Sequence, residues 1–574
     1  MSDGYFESEQ LAIASTTLIV NLASIFISFT LTPMLCAKVM RPESDRDGRL
    51  ARAGRAWEKT LSRWGVAYGA WLRRTGSRRG VAVAVLLAAL VLVAAGIKAG
   101  ARGLGFSLLE DDDWGRAFLR LEYPDYYDLD RTTDRTLAIA RALREDPDAV
   151  TVLAMPGRAD ALAGQANEGV YLAQIEIVYR PAADRPTRPV TAILEDLRAR
   201  LRAEPDLIAT VTAPGYIEGV GSTVQYNLKG PDLAELATRV RRLQALAMNL
   251  PGIAQLDTTA RDDKPEIRVL PDRAVMADMG ADPALLGATL RASVDGLEAA
   301  SYKEDLKTID IRVKLAERQG SAQIATLPLP AVPGRPPVPL SAFTREIRTG
   351  QKVMIFRHDK QRACLLAGNE RAGTPASALN AQIEALAKEN HIDGDGYTLV
   401  PVGFSEILGE SVLDFMEAIL LAVILTLLTL AAILESWRKP LLVLLTVPMA
   451  LAGVLGALHL AGLNISIFVL LGVVMLIGVV VNPAVLIVDA QTRLERAGKP
   501  PADAICRAVA QTFRAVVMVI VASGLGMLPI ALSTGIGAIN RVGIGAASVG
   551  GILVAGALTL LVLPFLPLAL SRRR

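Results

Sequence analysis

The chain has 574 residues, 52% of them hydrophobic, and a mean hydropathy of +0.36. So apolar a composition at this length excludes an ordinary water-soluble protein. The formal net charge is only +3, from 61 Lys and Arg against 58 Asp and Glu, which gives no ground for a nucleic-acid partner.

A helix that crosses a bilayer needs about 20 mostly apolar residues. Seven segments qualify: 11–33, 80–99, 413–434, 441–461, 465–488, 515–534 and 542–569. An odd number puts the two chain ends on opposite sides. Lys and Arg mark the cytoplasmic side. Residues 38–79 hold twelve of them against four acids. The linker Glu435-Ser436-Trp437-Arg438-Lys439, residues 489–514 and the final Arg572-Arg573-Arg574 are basic too. Residues 101–410 are therefore expected outside, together with the acidic start (Asp3, Glu7, Glu9). A secretory signal would begin with basic residues instead. A first span that starts outside at residue 11 fits a chain lacking an earlier portion. The three cysteines, Cys36, Cys364 and Cys506, lie far apart and suggest neither a disulfide nor a metal framework.

The 310 residues from 101 to 410 are too many for a mere connection. Their periodicity predicts a strand at 116–122, a helix at 132–145, strands at 149–155 and 170–178, a helix at 190–203 and a strand at 207–213. That order, βαββαβ, is the ferredoxin-like split βαβ unit. A second pass begins with a strand at 223–228, a helix at 231–249 and a strand at 252–257. It resumes only with a strand at 361–368, a helix at 376–389 and a strand at 396–402. Between its halves, 264–350 reads as an inserted module with a helix at 283–294, a strand at 307–314 and a Pro-rich turn from Pro328 to Pro339. The alternative is one irregular α+β domain.

No enzyme constellation is present. His358, His391 and His459 are isolated and are expected to be packed or interfacial residues. Glu110-Asp111-Asp112-Asp113 reads as a solvated turn rather than a cation site. The better clue is Asn482, the one strongly polar side chain between Ile467 and Val488, followed by Pro483. Polar groups are costly inside a membrane, and a proline frees a backbone carbonyl there. Asn482 is read either as structural glue between helices or as part of a hydrated path. Gly543, Ala547, Gly551 and Ala555 form a small-residue stripe suited to close helix packing.

Several strings, taken together and in order, resemble one family. They are Leu31-Thr32-Pro33-Met34-Leu35-Cys36, Glu435-Ser436-Trp437 with Pro440 and Val447-Pro448, and Gly478-Val479-Val480-Val481-Asn482-Pro483-Ala484 running on to Asp489. Gly526-Met527-Leu528-Pro529 with Ser533-Thr534-Gly535, and Val338-Pro339-Leu340-Ser341-Ala342-Phe343, complete the set. They look like the C-terminal half of a resistance–nodulation–division (RND) efflux permease of the hydrophobe/amphiphile type. The resemblance implies a polytopic α-helical membrane protein with a large α+β periplasmic region. By position, 1–37 is the family's sixth span, 38–79 a cytoplasmic linker and 80–100 the seventh span. Residues 106–213 match a first porter subdomain, 214–263 with 351–402 a second, and 264–350 a docking module. Residues 411–574 match the eighth to twelfth spans.

The resemblance further implies a bacterial inner-membrane antiporter that exchanges protons for drugs or other small amphiphilic substrates. It would work as a homotrimer or with a complementing first-half chain, a periplasmic adaptor protein and an outer-membrane channel. It implies no cofactor and no bound metal. The family's proton-carrying aspartates lie in its fourth span, which has no counterpart here. Their partner position is Asn482, where drug pumps have Lys, and Pro483 replaces the second residue of an Asn pair found in other members. The neighbouring relay positions are Val519 and Thr512, which cannot act as the family's Thr and Arg do. The drug-pocket switch loop aligns near Pro156 to Glu168 without a Phe, leaving Tyr171 and Gln165 as candidate pocket residues. Met155 is the lone Met of 106–213, which disfavours metal export. Two alternatives are a SecD/SecF-like protein-translocation accessory and a non-transporting remnant.

Overall fold

The computed structural model describes residues 15, 18–20, 22–39, 49–76, 79–100, 104–108, 112–124, 126–160, 166–214, 222–261, 264–304, 307–313, 324–329, 336–351, 354–371 and 373–570. The first ten residues, Glu110, Asp111, Gln165, 330–335 of the Pro-rich turn, and Arg572 to Arg574 lie outside them. The chain opens with α1 (Leu18–Lys38), α2 (Arg49–Gly76) and α3 (Arg79–Gly100). Helices α1 and α3 are long and apolar enough to cross a membrane. α2 occupies most of the stretch read as a linker.

After α3 the period of the apolar pattern changes and a sheet begins. β1 (Arg116–Glu122) buries every second residue, as a strand covered on one face must. It is followed by α4 (Leu129–Arg144), β2 (Ala149–Asp160), β3 (Ala166–Tyr179), α5 (Val190–Arg202) and β4 (Ile208–Thr212). α4 starts at Asp128, whose carboxylate accepts the Arg131 N–H. The strands form one antiparallel sheet in the order β2-β3-β1-β4. Leu119, Leu121, Ile175, Ile177 and Val211 from the sheet pack with Ile193, Leu194 and Leu197 of α5.

The second sheet starts at β5 (Val224–Gly230), with α6 (Leu233–Ala247) and β6 (Ile253–Thr258). The chain then departs through β7 (Lys264–Pro271), α7 (Arg273–Asp278), α8 (Pro283–Val294), β8 (Leu297–Glu304), β9 (Lys307–Val313), β10 (Pro328–Leu329), β11 (Val338–Pro339) and β12 (Thr344–Gln351). β7 and β12 pair antiparallel from Lys264↔Gln351 to Thr344↔Pro271, so the excursion is closed at its base. It has its own core of Met276, Leu286, Leu327, Leu329, Leu340 and Phe343. β13 (Arg357–His358), β14 (Gln361–Glu370), α9 (Ala376–Glu389) and β15 (Thr398–Pro401) complete the sheet. With the excursion set aside, the order β6-β14-β5-β15 repeats that of the first sheet, and β13 extends β14. Of the excursion, sequence periodicity indicates α8 and β9 but not β7, α7, β8 or β12. Those strands form two-stranded ribbons rather than parts of a larger sheet, and β8 exposes nearly all its described side chains, so no strong alternation marks it.

The remaining helices are α10 (Phe404–Leu434), α11 (Arg438–Leu444), α12 (Thr446–Ala461), α13 (Ile467–Arg496), α14 (Pro501–Ala531) and α15 (Ala538–Leu570). α11 and α12 together make one apolar span, and the described residues contain seven such spans. Several helices outrun the apolar run that predicts them. α10 begins at Phe404 and α14 at Pro501, because helical hydrogen bonding continues past the point where hydropathy falls. α12, α13 and α15 form the centre of the bundle, around Val454, Leu476, Val480, Ala547 and Ala555. Gly543, Ala547, Gly551 and Ala555 are all buried; side-chain carbons on Gly543 and Gly551 would press on Val469 and Leu476 of α13.

The described half of the acidic run is not a solvated turn. Asp112 accepts the Gly537 N–H at the start of α15. Asp113 accepts the Gly115 and Val190 N–H groups and pairs with Arg185, whose side chain is buried. Backbone donors at three places need an acceptor, and these two carboxylates supply it. Of the histidines, His391 and His459 are exposed and His358 is half-buried beside Asp359. Cys36 is exposed, and Cys364 and Cys506 are buried; all three are free thiols.

Candidate functional site

α13 carries the polar position of interest. Ser466 caps its start by accepting the Val469 N–H. Its inner-facing residues, among them Val473, Leu476, Ile477, Val480, Ala484 and Ile487, are buried against the bundle. The opposite face is Leu471, Met475, Gly478, Asn482 and Leu486, spaced by four, three, four and four residues, and every one of them is exposed. Spacing of three and four keeps these residues on one stripe. Gly478 has no other group within 4 Å of where a Cβ would stand. Asn482 thus sits on an apolar outer face beside a glycine that would let another backbone approach. Among the described residues its side-chain amide has no hydrogen bond.

The structure does not join the two other relay positions to it. Thr512 on α14 is half-buried, and its hydroxyl donates to Ala508 O of its own helix at 2.8 Å. Val519, two turns further on, is half-buried and has no polar side-chain atom. α13 and α14 pack against each other, yet no hydrogen bond runs from either residue to Asn482. Among the described residues no hydrogen bond joins Asn482 to another helix of this chain.

The end of α13 is held firmly. Lys439 Nζ donates to Thr492 Oγ1 at 2.8 Å and to Glu495 Oε2 at 2.9 Å, and Gln491 Nε2 donates to Glu495 Oε1 at 2.8 Å. Arg496 pairs with Glu435, the left-handed residue that ends α10, at 2.7 Å. The opposite end of the helix touches the sheet-containing region. Ser107 N–H donates to Ile465 O at 2.9 Å, Ile465 N–H to Gly105 O at 3.0 Å, and Phe106 N–H to Ser377 Oγ of α9 at 2.9 Å. These three bonds tie the segment just before α13 to residues 105–107 and to α9 beside the second sheet.

Between the sheets lies a second cluster, which sequence reading missed. Arg261 Nε donates to both Glu122 carboxylate oxygens at 3.1 Å, and its terminal nitrogens reach both Asp257 oxygens at 2.8 Å. Burial works against the guanidinium charge, but Asp257 and Glu122 outweigh it and hold Arg261 protonated. The Gln255 amide accepts the Val211 N–H at 3.1 Å and donates to Ala209 O at 2.6 Å, so it mimics one rung of a strand on the edge of β4. Tyr171 stands beside this seam, half-buried; burial first, then the Glu122 carboxylate, raises its phenol above the usual value. Gln165 lies outside the described residues. A run such as Thr258-Thr259-Ala260-Arg261-Asp262-Asp263 carries no signal that would have placed Arg261 against β1, because the contact is made by the fold.

Among the described residues no group of three or more His, Cys, Asp or Glu side chains could hold a metal ion. The model of the AcrB/AcrD/AcrF family matches residues 9–571. The chain belongs to this family. Its members are multi-pass membrane transporters of the RND class, not enzymes. Two solved structures are similar in fold, both crystal forms of a protein described as a heavy metal efflux pump. Form I superposes with a TM-score of 0.77 at 22% identity, covering 88% of this chain and 52% of that one. Form II gives 0.78 at 21%, covering 89% and 52%. This AcrB/AcrD/AcrF-family chain thus spans about half the length of the solved structures it matches.

Proposed function

We propose that the chain acts as the C-terminal half of an RND permease of the hydrophobe/amphiphile type, exporting drugs or other amphiphilic compounds in exchange for protons when joined by a first-half unit. In this proposal residues 106–213 are the first porter-like subdomain, 214–263 with 351–402 the second, and 264–350 the docking-like insertion. The seven spans sit in the bacterial inner membrane with 101–410 in the periplasm. A trimer, a periplasmic adaptor and an outer-membrane channel complete the path.

The exposed amide of Asn482 carries the proposal. An unpartnered polar group on a hydrocarbon-facing helix is costly, so this face requires a polar partner from outside the chain. Paired carboxylates on a helix of a first half satisfy that need. The amide has no titratable proton, so the proton resides on the carboxylates and Asn482 stabilises their charged form by donating to it. Thr512 and Val519 contribute nothing to the transfer.

The test is co-expression with a first half that bears paired intramembrane aspartates, in a pump-deficient bacterial strain. Dye accumulation should fall, and an uncoupler should restore it. Unchanged accumulation, with both halves present in the membrane, would leave a non-transporting remnant instead. A second reading, heavy-metal export, is favoured by the description of the two similar structures. Zinc and copper tolerance that rises in the same cells without any change in dye would select it.

A further inference from the structure

α2 carries seven Lys and Arg against a single acid, Glu58. Three of the chain's five tryptophans lie on it, Trp57, Trp64 and Trp71, seven residues apart. Seven residues are close to two helical turns, so the three rings form one stripe. That stripe faces outward, with exposures of 58, 60 and 44%. The adjoining face is a packed seam of Leu61, Gly65, Gly69 and Leu72. Gly65 and Gly69 let α2 lie directly on Phe513, Ala510 and Cys506 of α14. Glu58 pairs with Arg514, and Arg73 with Asp503 at 3.2 Å, so α2 runs antiparallel to the first turns of α14. Tyr68 Oη donates to Leu560 O of α15 at 2.6 Å, and Trp71 meets Phe565 edge-on at 5.8 Å. α2 is therefore clamped to the ends of two apolar helices, and α3 leads from it across to the sheets.

We propose that α2 is an interfacial anchor for anionic phospholipid headgroups, with the Trp57, Trp64 and Trp71 rings in the headgroup layer and Lys59 and Arg63 on lipid phosphates. The anchor rests on the apolar helices crossing a bilayer, as the transport proposal has them. Tryptophan, with an apolar body and one N–H donor, favours the boundary between hydrocarbon and water. A basic helix with an aromatic flank has the composition of a helix that lies in that boundary. Lys59 and Arg63 are exposed on the sides of α2 away from its packed seam, and a cation near such a surface gains from anionic lipid. The stripe is also continuous with bilayer-facing surface, since α3 begins three residues after α2 ends and exposes Val83, Leu87 and Leu90.

The test uses the full chain in phosphatidylcholine vesicles, some lipids brominated near the headgroup, with and without phosphatidylglycerol. Flotation of the vesicles comes first: a chain that does not float overturns the bilayer assignment and the anchor with it. In a floating chain, brominated lipid should quench the fluorescence that W57F/W64F/W71F removes. Phosphatidylglycerol should relieve that quenching better than unbrominated phosphatidylcholine does. K59Q/R63Q should lower this preference about fivefold for each charge removed. Three results would each overturn the anchor while leaving the spans intact: quenching by aqueous iodide instead of bromolipid, quenching by neither, or quenching without preference for the anionic lipid.

Discussion

Gly453 and Gly550 meet backbone against backbone where α12 crosses α15: a Cβ on either would overlap the carbonyl oxygen of the other. The second obstacles are Val554 for Gly453 and Ala457 for Gly550, both on the facing helix. Close crossing without side chains is how helices associate where water supplies no driving force. Gly456, one turn along α12, has open space within 4 Å of where a Cβ would stand. G453L and G550L should each destabilise the bundle by about 1–3 kcal/mol, the usual cost of overpacking. G456A should be neutral or better by at most about 1 kcal/mol. Thermal unfolding in detergent separates the two outcomes, and equal effects at all three positions would contradict the crossing.

Arg261 ties β1 to the segment after β6. Replacing it with Met leaves the Glu122 and Asp257 carboxylates facing each other with little solvent, since their side chains are only 13% and 10% exposed. Removing one partner of such a buried set typically costs about 3–5 kcal/mol; the partial exposure of Arg261 places the expected loss at the lower end. R261K keeps the charge but loses the two-sided fork, so it should recover part of the stability. Chemical unfolding of the full chain reads both variants.

Acid should weaken the first sheet through Asp146. Burial alone would raise its pKa, but the hydrogen bond from Arg188 and the Asp148 N–H together lower it below the ordinary 3.8. A carboxyl depressed in the folded state contributes stability above its unfolded pKa and loses it as pH falls through the folded value. The loss therefore begins near pH 4 and continues below it. Unfolding midpoints from pH 5 downward should drop more steeply in the native chain than in D146N, whose baseline is lower throughout. Parallel curves would show that the Arg188 pair contributes nothing.

Asn482 separates folding from transport. Because the side chain is exposed and makes no hydrogen bond within the described residues, N482L should leave the folded chain at least as stable, since it removes a polar group from an apolar face. The same variant should abolish dye export by the assembled pump. A large loss of folded protein would show instead that the amide is buried against this chain.

Hydropathy and charge bias located the apolar spans, because a run of about 20 apolar residues has few other uses. The strands of both sheets were legible for a related reason: alternation is the direct imprint of a sheet covered on one face. The excursion at 264–350 was only half legible, since β7, β8 and β12 lie in two-stranded ribbons and β8 is exposed along nearly its whole length. The acidic run was misread for a local reason. Nothing near Asp112 in sequence announces that Gly537 will offer it an N–H.

Sequence alone determined the family, the number of spans and the identity of the one amide among the apolar residues of α13. It could not decide which way that amide faces, because a helix of apolar residues shows no polar side to orient it. Only packing decided this, by burying Val480, Pro483 and Ala484 in the bundle and leaving Gly478 and Asn482 outside. The seam at Arg261 and the crossing at Gly453 and Gly550 are likewise tertiary facts. Each joins residues about a hundred or more positions apart, and separations of that kind leave no periodic mark on a chain.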